Sequence, residues 1–564
     1  MKTQYRAILA IVLSAAFFIL YYTVINPPKP TPQGPEQTAE QTKDQAQAQA
    51  SQVEPGSPEE LPTASSLSQD PQAGITIQTA KIRNDLVEME ITNDGGVLTS
   101  WKVLEYHEST DKASPRIDLA ASDPTLPAPL ALMLEDLDIS LPDKLRYEIV
   151  ETKESSAALR WRGKGLEIVK TISMDPGSYV ANVAVDIKNL SNKAITPKPA
   201  LVWSGFNEKP PKRGFFSFLR VGQVDVKKPV YYVDGKAHRG DIAKTEEVSI
   251  PGGVYWAGIE SRYFISSIIP RIQGEGLAVQ YASKALADKA PGATGLWAGV
   301  VEPTLIIPPG ETGKAAFSVY SGPKDIERLK ALGVNMEKAI DYGWFTIIAV
   351  PILYLLKFFY SIIHNYGVAI ILLTIFVKLL LHPINVRSLK SMKAMQQLQP
   401  RLKELQKKYK GDKQRINQET MQLFRSHKVN PMGGCLPMVL QLPIYIALYK
   451  VLWNSIELFH APFFWFYKDL SAPDPYMITP ILLGVFMVAQ QMLMPSASTD
   501  PAQKKMMMLM PVMFTVFMIF LPVGLVLYIL VNTATSVTQQ WMYNKGIGLM
   551  DLVRGKWKMK AAMV

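Results

Sequence analysis

The chain carries one cysteine in 564 residues, Cys435, and six scattered histidines. A disulfide framework is therefore excluded, no Cys/His spacing for a metal appears, and the lone thiol reads as small packing. No glycine-rich phosphate loop of the Walker type is present, so nothing points to nucleotide hydrolysis. Acid is missing where it would matter most: the six apolar stretches read below as membrane spans contain no Asp or Glu. Carriers of ions or small solutes use intramembrane carboxylates for coupling, so the shortage weighs against a secondary transporter. Large apolar side chains are in turn scarce from Pro27 to about Gln72, where Pro, Gln, Ala, Ser and Glu predominate. Such a segment cannot bury enough apolar surface to order itself and reads as a disordered tether, residues 27–74.

What is present divides the chain into a membrane part and an exported part. Hydrophobic residues make up 48% of the sequence and are unevenly distributed. Lys2 and Arg6 precede an apolar run, Ala7 to Ile25, that is long for a signal peptide and lacks a small-x-small cleavage site, so residues 1–26 are expected to be a retained transmembrane anchor. From Ile75 to about Gly322, runs such as Leu86 to Ile91, Leu166 to Ile172, Tyr179 to Ile187, Tyr255 to Ile268, Leu277 to Tyr281 and Ala315 to Tyr320 alternate with Gly, Pro, Asn and Asp turns. That is the pattern of an all-β sandwich, and with an amphipathic helix over Pro323 to Ile340 it defines an external domain, residues 75–340. This domain holds only His107 and His238 and shows no convincing acid/base pair, so a scaffold for partners is expected rather than an enzyme.

Residues 341–365 form an apolar stretch interrupted by Pro351 and Lys357. Counting it as a span would put the most basic part of the chain outside, against the positive-inside rule, so an interfacial helix is expected. Spans are then expected at 1–26, 366–385, 432–452, 476–494, 506–521 and 525–543, six transmembrane helices with both termini cytoplasmic and a basic tail at 544–564. The net charge of +11 concentrates beside these spans. It points to topology, anionic lipid or ribosomal RNA rather than to a specific DNA site.

Residues 387–430 carry twelve basic side chains through Lys428, among them Arg401, Lys403, Lys407, Lys408, Lys413 and Arg415, against Glu404, Asp412 and Glu419. Apolar residues recur there at spacings of three and four, and Gly411-Asp412 marks a turn, so a cytoplasmic helical hairpin is expected, with Pro400 kinking or restarting its first arm. In the preceding span Thr374, Lys378, His382 and Asn385 fall within about 80° of one helical face. Later spans repeat the device: Gln441, Tyr445 and Tyr449 are spaced by four, and Tyr528, Asn532, Thr535 and Gln539 line one face. Three polar stripes in apolar helices imply a shared wet cavity, although Lys378 alone is near enough to the span's end to snorkel. Methionines crowd the fourth and fifth spans, a flexible surface for varied apolar partners or ordinary packing.

The stretch KVNPMGGCLPMVLQLPIYIALYKVL, Lys428 to Leu452, with FVKLLLHPINVRSLKSMKAMQQLQPRLKELQKKY before it and LPVGLVLYILVNTATSVTQQW near the end, resembles the YidC membrane protein insertase family of Gram-negative bacteria. The resemblance spans the chain, and Asn430-Pro431-x-Gly433-Gly434-Cys435-x-Pro437 is its most specific part. It implies a large periplasmic sandwich similar to sugar-mutarotase folds, five later spans forming the insertase core at 366–543, and an inner-membrane protein without catalytic residues, metal or cofactor. The implied partners are nascent membrane proteins and the Sec translocon, with the ribosome reached by the basic hairpin. The family's groove charge is usually arginine, and the matching residue here is Lys378, which keeps the charge and loses the planar fork. A passive assembly scaffold is the remaining alternative to an insertase.

Overall fold

The computed structural model describes residues 75–545 apart from 121–122, 138, 143, 209–224, 242–246, 287–292, 428, 430–435, 465 and 494–500. The expected anchor, the tether, Cys435 with its neighbours from Asn430, and all but the first residues of the basic tail lie outside the described residues.

Among the described residues, the β-rich part of the chain forms three antiparallel sheets. The largest has nine strands in the order Lys236–Arg239, Lys228–Val233, Val254–Glu260, Phe264–Pro270, Thr312–Pro323, Val180–Asn189, Leu166–Met174, Ser156–Gly163 and Glu148–Thr152. A second has five, Val248–Pro251, Ala278–Ala285, Thr294–Val301, Lys198–Asn207 and Ala131–Glu135, and its central strands pack against Val254–Glu260 and Phe264–Pro270 of the first. Four strands, Thr79–Arg83, Val87–Thr92, Val97–His107 and Arg116–Asp118, form the third. It joins the same core, where Trp101 meets Trp203 edge to face with ring centroids 5.7 Å apart.

Alternation explains the strands. In Leu166–Met174 every second residue is buried, the period of a strand with one packed face. Lys170 falls on that buried face between Ile168 and Ile172. Its amine donates to the Gly96 carbonyl at 2.9 Å and to the Leu130 carbonyl, so one buried amine satisfies two turns in which Gly96 and Leu130 have left-handed φ of 59° and 63°.

Two expected elements are divided. Tyr255 to Ile268 is two strands, because Ser261 closes a turn between them: its N–H donates to the Phe264 carbonyl at 2.8 Å and its hydroxyl accepts from Phe264 N at 3.2 Å. Pro323 to Ile340 is likewise not one helix. It comprises α1, Ile326–Ala331, capped by Asp325 through the N–H groups of Glu327 and Arg328, and a short 3-10 turn, Met336–Ala339. Gly333 and Asn335, at φ of 77° and 55°, break the helix between them.

The remaining helices are α2, Thr346–Ile363; α3, Tyr366–Lys408; α4, Lys413–Ser426; α5, Leu436–Asn454; α6, Ile478–Leu493; α7, Pro501–Met518; and α8, Val523–Asn544. They fall in the stretches expected to be helical, with two main differences in bounds: α3 runs unbroken from the expected span at 366–385 into the first arm of the hairpin, and α7 lies at Pro501–Met518 against the expected 506–521. Gly343–Ile363 and Tyr366–Lys408 are long and apolar enough to cross a membrane, and Ile478–Leu493 and Met508–Met518 are shorter apolar helices. Helix α2 is one-sided: Ala349, Ile352, Leu353 and Leu356 are buried while Ile347, Phe358 and Ile362 are exposed. Helix α3 continues through both Pro383 and Pro400, so Pro400 does not restart the hairpin's first arm. The turn comes at Gly411, whose φ of 105° favours glycine, and Asp412 caps α4 by accepting from Arg415 N at 3.0 Å.

Candidate functional site

The first turn of α3 is seated tightly. Asn365 caps it, accepting from Val368 N at 3.0 Å and donating to the Phe463 carbonyl at 2.8 Å. A Cβ on Gly367 would lie 1.9 Å from the Phe463 ring, so only glycine fits there. This seat fixes the rotation of α3 and hence the direction of its polar stripe.

On that stripe Lys378 is only 7% exposed. Its amine donates to the Ser536 hydroxyl of α8 at 2.7 Å. Among the described residues of α3 before Lys408, and of α5 to α8, Glu404 on the hairpin arm is the one acid, so no helix of the group brings a counterion to the amine. Thr374 is buried one turn earlier and returns its hydroxyl to the Ile370 carbonyl at 2.6 Å, a local bond that satisfies it without a partner helix. His382, one turn beyond Lys378, has a buried Nδ1 without a hydrogen-bond partner.

The stripes of α5 and α8 meet. Gln441 donates to the Tyr528 hydroxyl at 3.1 Å, Asn532 donates to the Tyr445 hydroxyl, and the two tyrosine rings stand edge to face at 5.6 Å. Thr535 turns back to the Val531 carbonyl at 2.7 Å. Asn385 and Gln539 are half-buried and are not joined to this network, and Tyr449 stacks on Trp453 instead. Lys378 and Tyr528 to Ser536 thus put α3, α5 and α8 around one polar strip inside apolar helices. Ser536 was not among the expected residues, although it lies four after Asn532 and so on the same face.

The basic hairpin is held at its ends. Arg401 donates to His427 Nε2 at 2.7 Å, joining α3 to α4, and Lys408 and Arg415 lie 5.4 and 5.3 Å from the Tyr409 ring. Lys393 lies 5.7 Å from the Tyr543 ring of α8. Lys403 and Lys407 are exposed, and Lys413 opens α4.

A charged cluster that sequence reading did not assemble lies where α1, α2 and the loop after α5 come together. Lys357 on α2 pairs with Asp325 and with Glu457, both at 2.9 Å. Asp325 loses solvation there, which alone would raise its pKa, but the N–H groups of Arg328 and Glu327 and the Lys357 ammonium outweigh burial and hold it below the ordinary carboxylate value.

A β domain followed by apolar helices around a buried polar strip, with two helices long and apolar enough to cross a membrane, defines a class: a helical membrane protein with a large β domain. Comparison with known proteins sharpens this. Residues 79–355 match the model of the YidC periplasmic domain and residues 358–549 that of the 60Kd inner membrane protein. The chain is 38% identical to the membrane protein insertase YidC of Syntrophus aciditrophicus, with 96% of this chain and 99% of that one covered. It is 35% identical to that of Geobacter metallireducens, over 97% and 99%. The chain belongs to the YidC family of membrane protein insertases, inner-membrane proteins with a periplasmic domain, a family of insertases and not of enzymes. Among solved structures it is similar to an active YidC insertase with its first transmembrane domain resolved, at 18% identity and a TM-score of 0.36, covering 83% of this chain and 93% of that one. A putative aldose 1-epimerase of Escherichia coli K12 matches at 7% identity and a TM-score of 0.31, covering 44% and 99%.

Proposed function

We propose that this insertase moves the polar flank of a nascent transmembrane segment along the strip between α3, α5 and α8 while the segment's apolar face passes into lipid. The observation that carries the reading is Lys378, a buried cation held by a neutral hydroxyl instead of a carboxylate. A charge at the bilayer centre costs ~2.5 to 3.5 kcal/mol on insertion scales, and a hydrated polar path lowers that barrier without chemistry. Thr374, Lys378, His382, Asn385, Gln441, Tyr445, Tyr528, Asn532, Thr535 and Gln539 form the groove in this reading, with Ser536 added. Arg401, Lys403, Lys407, Lys408, Lys413 and Arg415 receive substrate or ribosome at the cytoplasmic face and meet anionic lipid there. In this reading the insertase acts alone or with the Sec translocon.

The same reading places six spans in the inner membrane, both termini and the hairpin in the cytoplasm, a sandwich-type β domain in the periplasm and α2 on the outer surface. Charge parity supports it: the hairpin and the tail are basic, while residues 453–475 hold Glu457, Asp469 and Asp474 against Lys468. Single cysteines at Lys408 and Asp234, in a chain with Cys435 replaced by serine, should label with an impermeant maleimide from opposite sides of the membrane. Labelling from one side would break the six-span arrangement.

A further inference from the structure

We propose that Lys357 is a positioning residue for the groove, the charge link through which the interfacial helix fixes the outer ends of the groove helices. The inference rests on the groove reading above and adds a residue that lies outside the polar strip.

The geometry is that of a three-way joint. Lys357 is 19% exposed, Asp325 19% and Glu457 9%, so the two ion pairs are largely withdrawn from water, where the loss of one partner leaves a charge with nothing to compensate it. Each partner is itself fixed. Asp325 caps α1 with its other oxygen, and Lys330 at the end of α1 donates to the Tyr354 hydroxyl of α2 at 2.7 Å. Glu457 sits in the short 3-10 turn Ile456–Leu458 beyond α5. The end of α5 just before that turn is held from the β domain by Arg262, which lies 3.7 Å from the Trp453 ring and donates to the Trp453 carbonyl at 2.8 Å, and the residue just after the turn by Tyr263 and Phe264 packed on Phe459.

The joint leads to both walls of the groove. Helix α2 packs on α3 and α5, with Phe359 near Phe376 at 6.2 Å and Tyr360 stacked on Tyr366 at 3.8 Å. The same outer loop holds the start of α8, where Val523 N donates to the Ala472 carbonyl at 2.8 Å and Gly524 N to the Leu470 carbonyl at 2.9 Å. One lysine therefore ties the helix that touches α3 to the loop that sets α8, the two helices joined by Lys378 and Ser536. An apolar side chain at 357 would keep α2 amphipathic and release this registration.

The test uses the full-length protein, purified and reconstituted, with one client bearing an acidic translocated tail and one bearing a neutral tail. Lys357→Met should slow insertion of both clients equally, by about tenfold, because geometry and not client charge is lost. Lys357→Arg should retain most of the activity. Cysteines at Phe359 and Phe376, in a chain with Cys435 replaced by serine, should crosslink less readily once Lys357→Met is added. That readout judges Lys357 even if the Lys378 variants insert normally and the groove reading falls. Wild-type insertion and crosslinking by Lys357→Met would overturn the inference. So would a loss confined to the acidic client, or a loss that merely follows a lowered melting temperature in detergent.

Discussion

Replacing Lys378 by Ala or Glu should slow insertion of clients with acidic translocated tails about tenfold, the equivalent of ~1.4 kcal/mol in barrier, and leave clients with neutral tails nearly unchanged. The expectation follows from what surrounds the amine. A lysine ammonium has three N–H donors, and Ser536 takes one of them at 2.7 Å. No acid on the groove helices neutralises it, so an entering carboxylate meets a positive charge in a poorly screened setting. Lys378→Arg keeps that charge and should insert both clients at close to wild-type rates. If Ala, Glu and Arg variants all insert both clients normally, the charge has no part in the transfer and Lys378 serves only to anchor α3.

The periplasmic domain should melt at higher temperature as pH rises from 7 to 9, and Lys170→Met should flatten that rise. Burial holds the Lys170 amine down at about 7, against 10.5 for an ordinary lysine. Between those two values the unfolded chain binds a proton that the native domain does not, so raising the pH favours the native state by up to ~1.4 kcal/mol per pH unit. Below pH 7 both states are protonated and the penalty for burying the cation is fully present; above 10.5 both are neutral and it vanishes. For a domain of this size the slope amounts to roughly 3 °C per pH unit. The full-length protein in detergent, followed by a β-sheet signal in circular dichroism, gives the measurement. A methionine variant with the same pH slope as the wild type would show that Lys170 does not titrate in this window.

Much of this was legible in the sequence because period and punctuation are local. Leu166 to Ile172 shows a strand's alternation and already places Lys170 on the buried parity. The stripe of Thr374, Lys378 and His382 follows from helical spacing, and Gly411 announces the hairpin turn. What was not legible depends on distant parts of the chain. Ser261-Arg262-Tyr263 carries no Gly or Pro, so the turn that divides Tyr255 to Ile268 is set by a serine hydroxyl and is silent in a pattern of apolar residues. Lys357 read as an interruption of an apolar stretch, since its partners Asp325 and Glu457 are 32 residues before and 100 residues after it. Gly367 has no turn to make, and its need for a bare Cα appears only when the Phe463 ring is placed against it.

In the proposed function the client's polar flank travels along the strip between α3, α5 and α8. A photo-crosslinking residue placed singly at Tyr445, Thr535 or Gln539, with Val485 and Met513 as exposed apolar controls on α6 and α7, tests it directly against a ribosome-stalled nascent membrane protein. Adducts should form strongly from the three strip positions as the client's polar flank passes and weakly from the two controls. Equal adducts from all five positions, or adducts from the controls alone, would contradict the groove and place the client on the outer face of the helices.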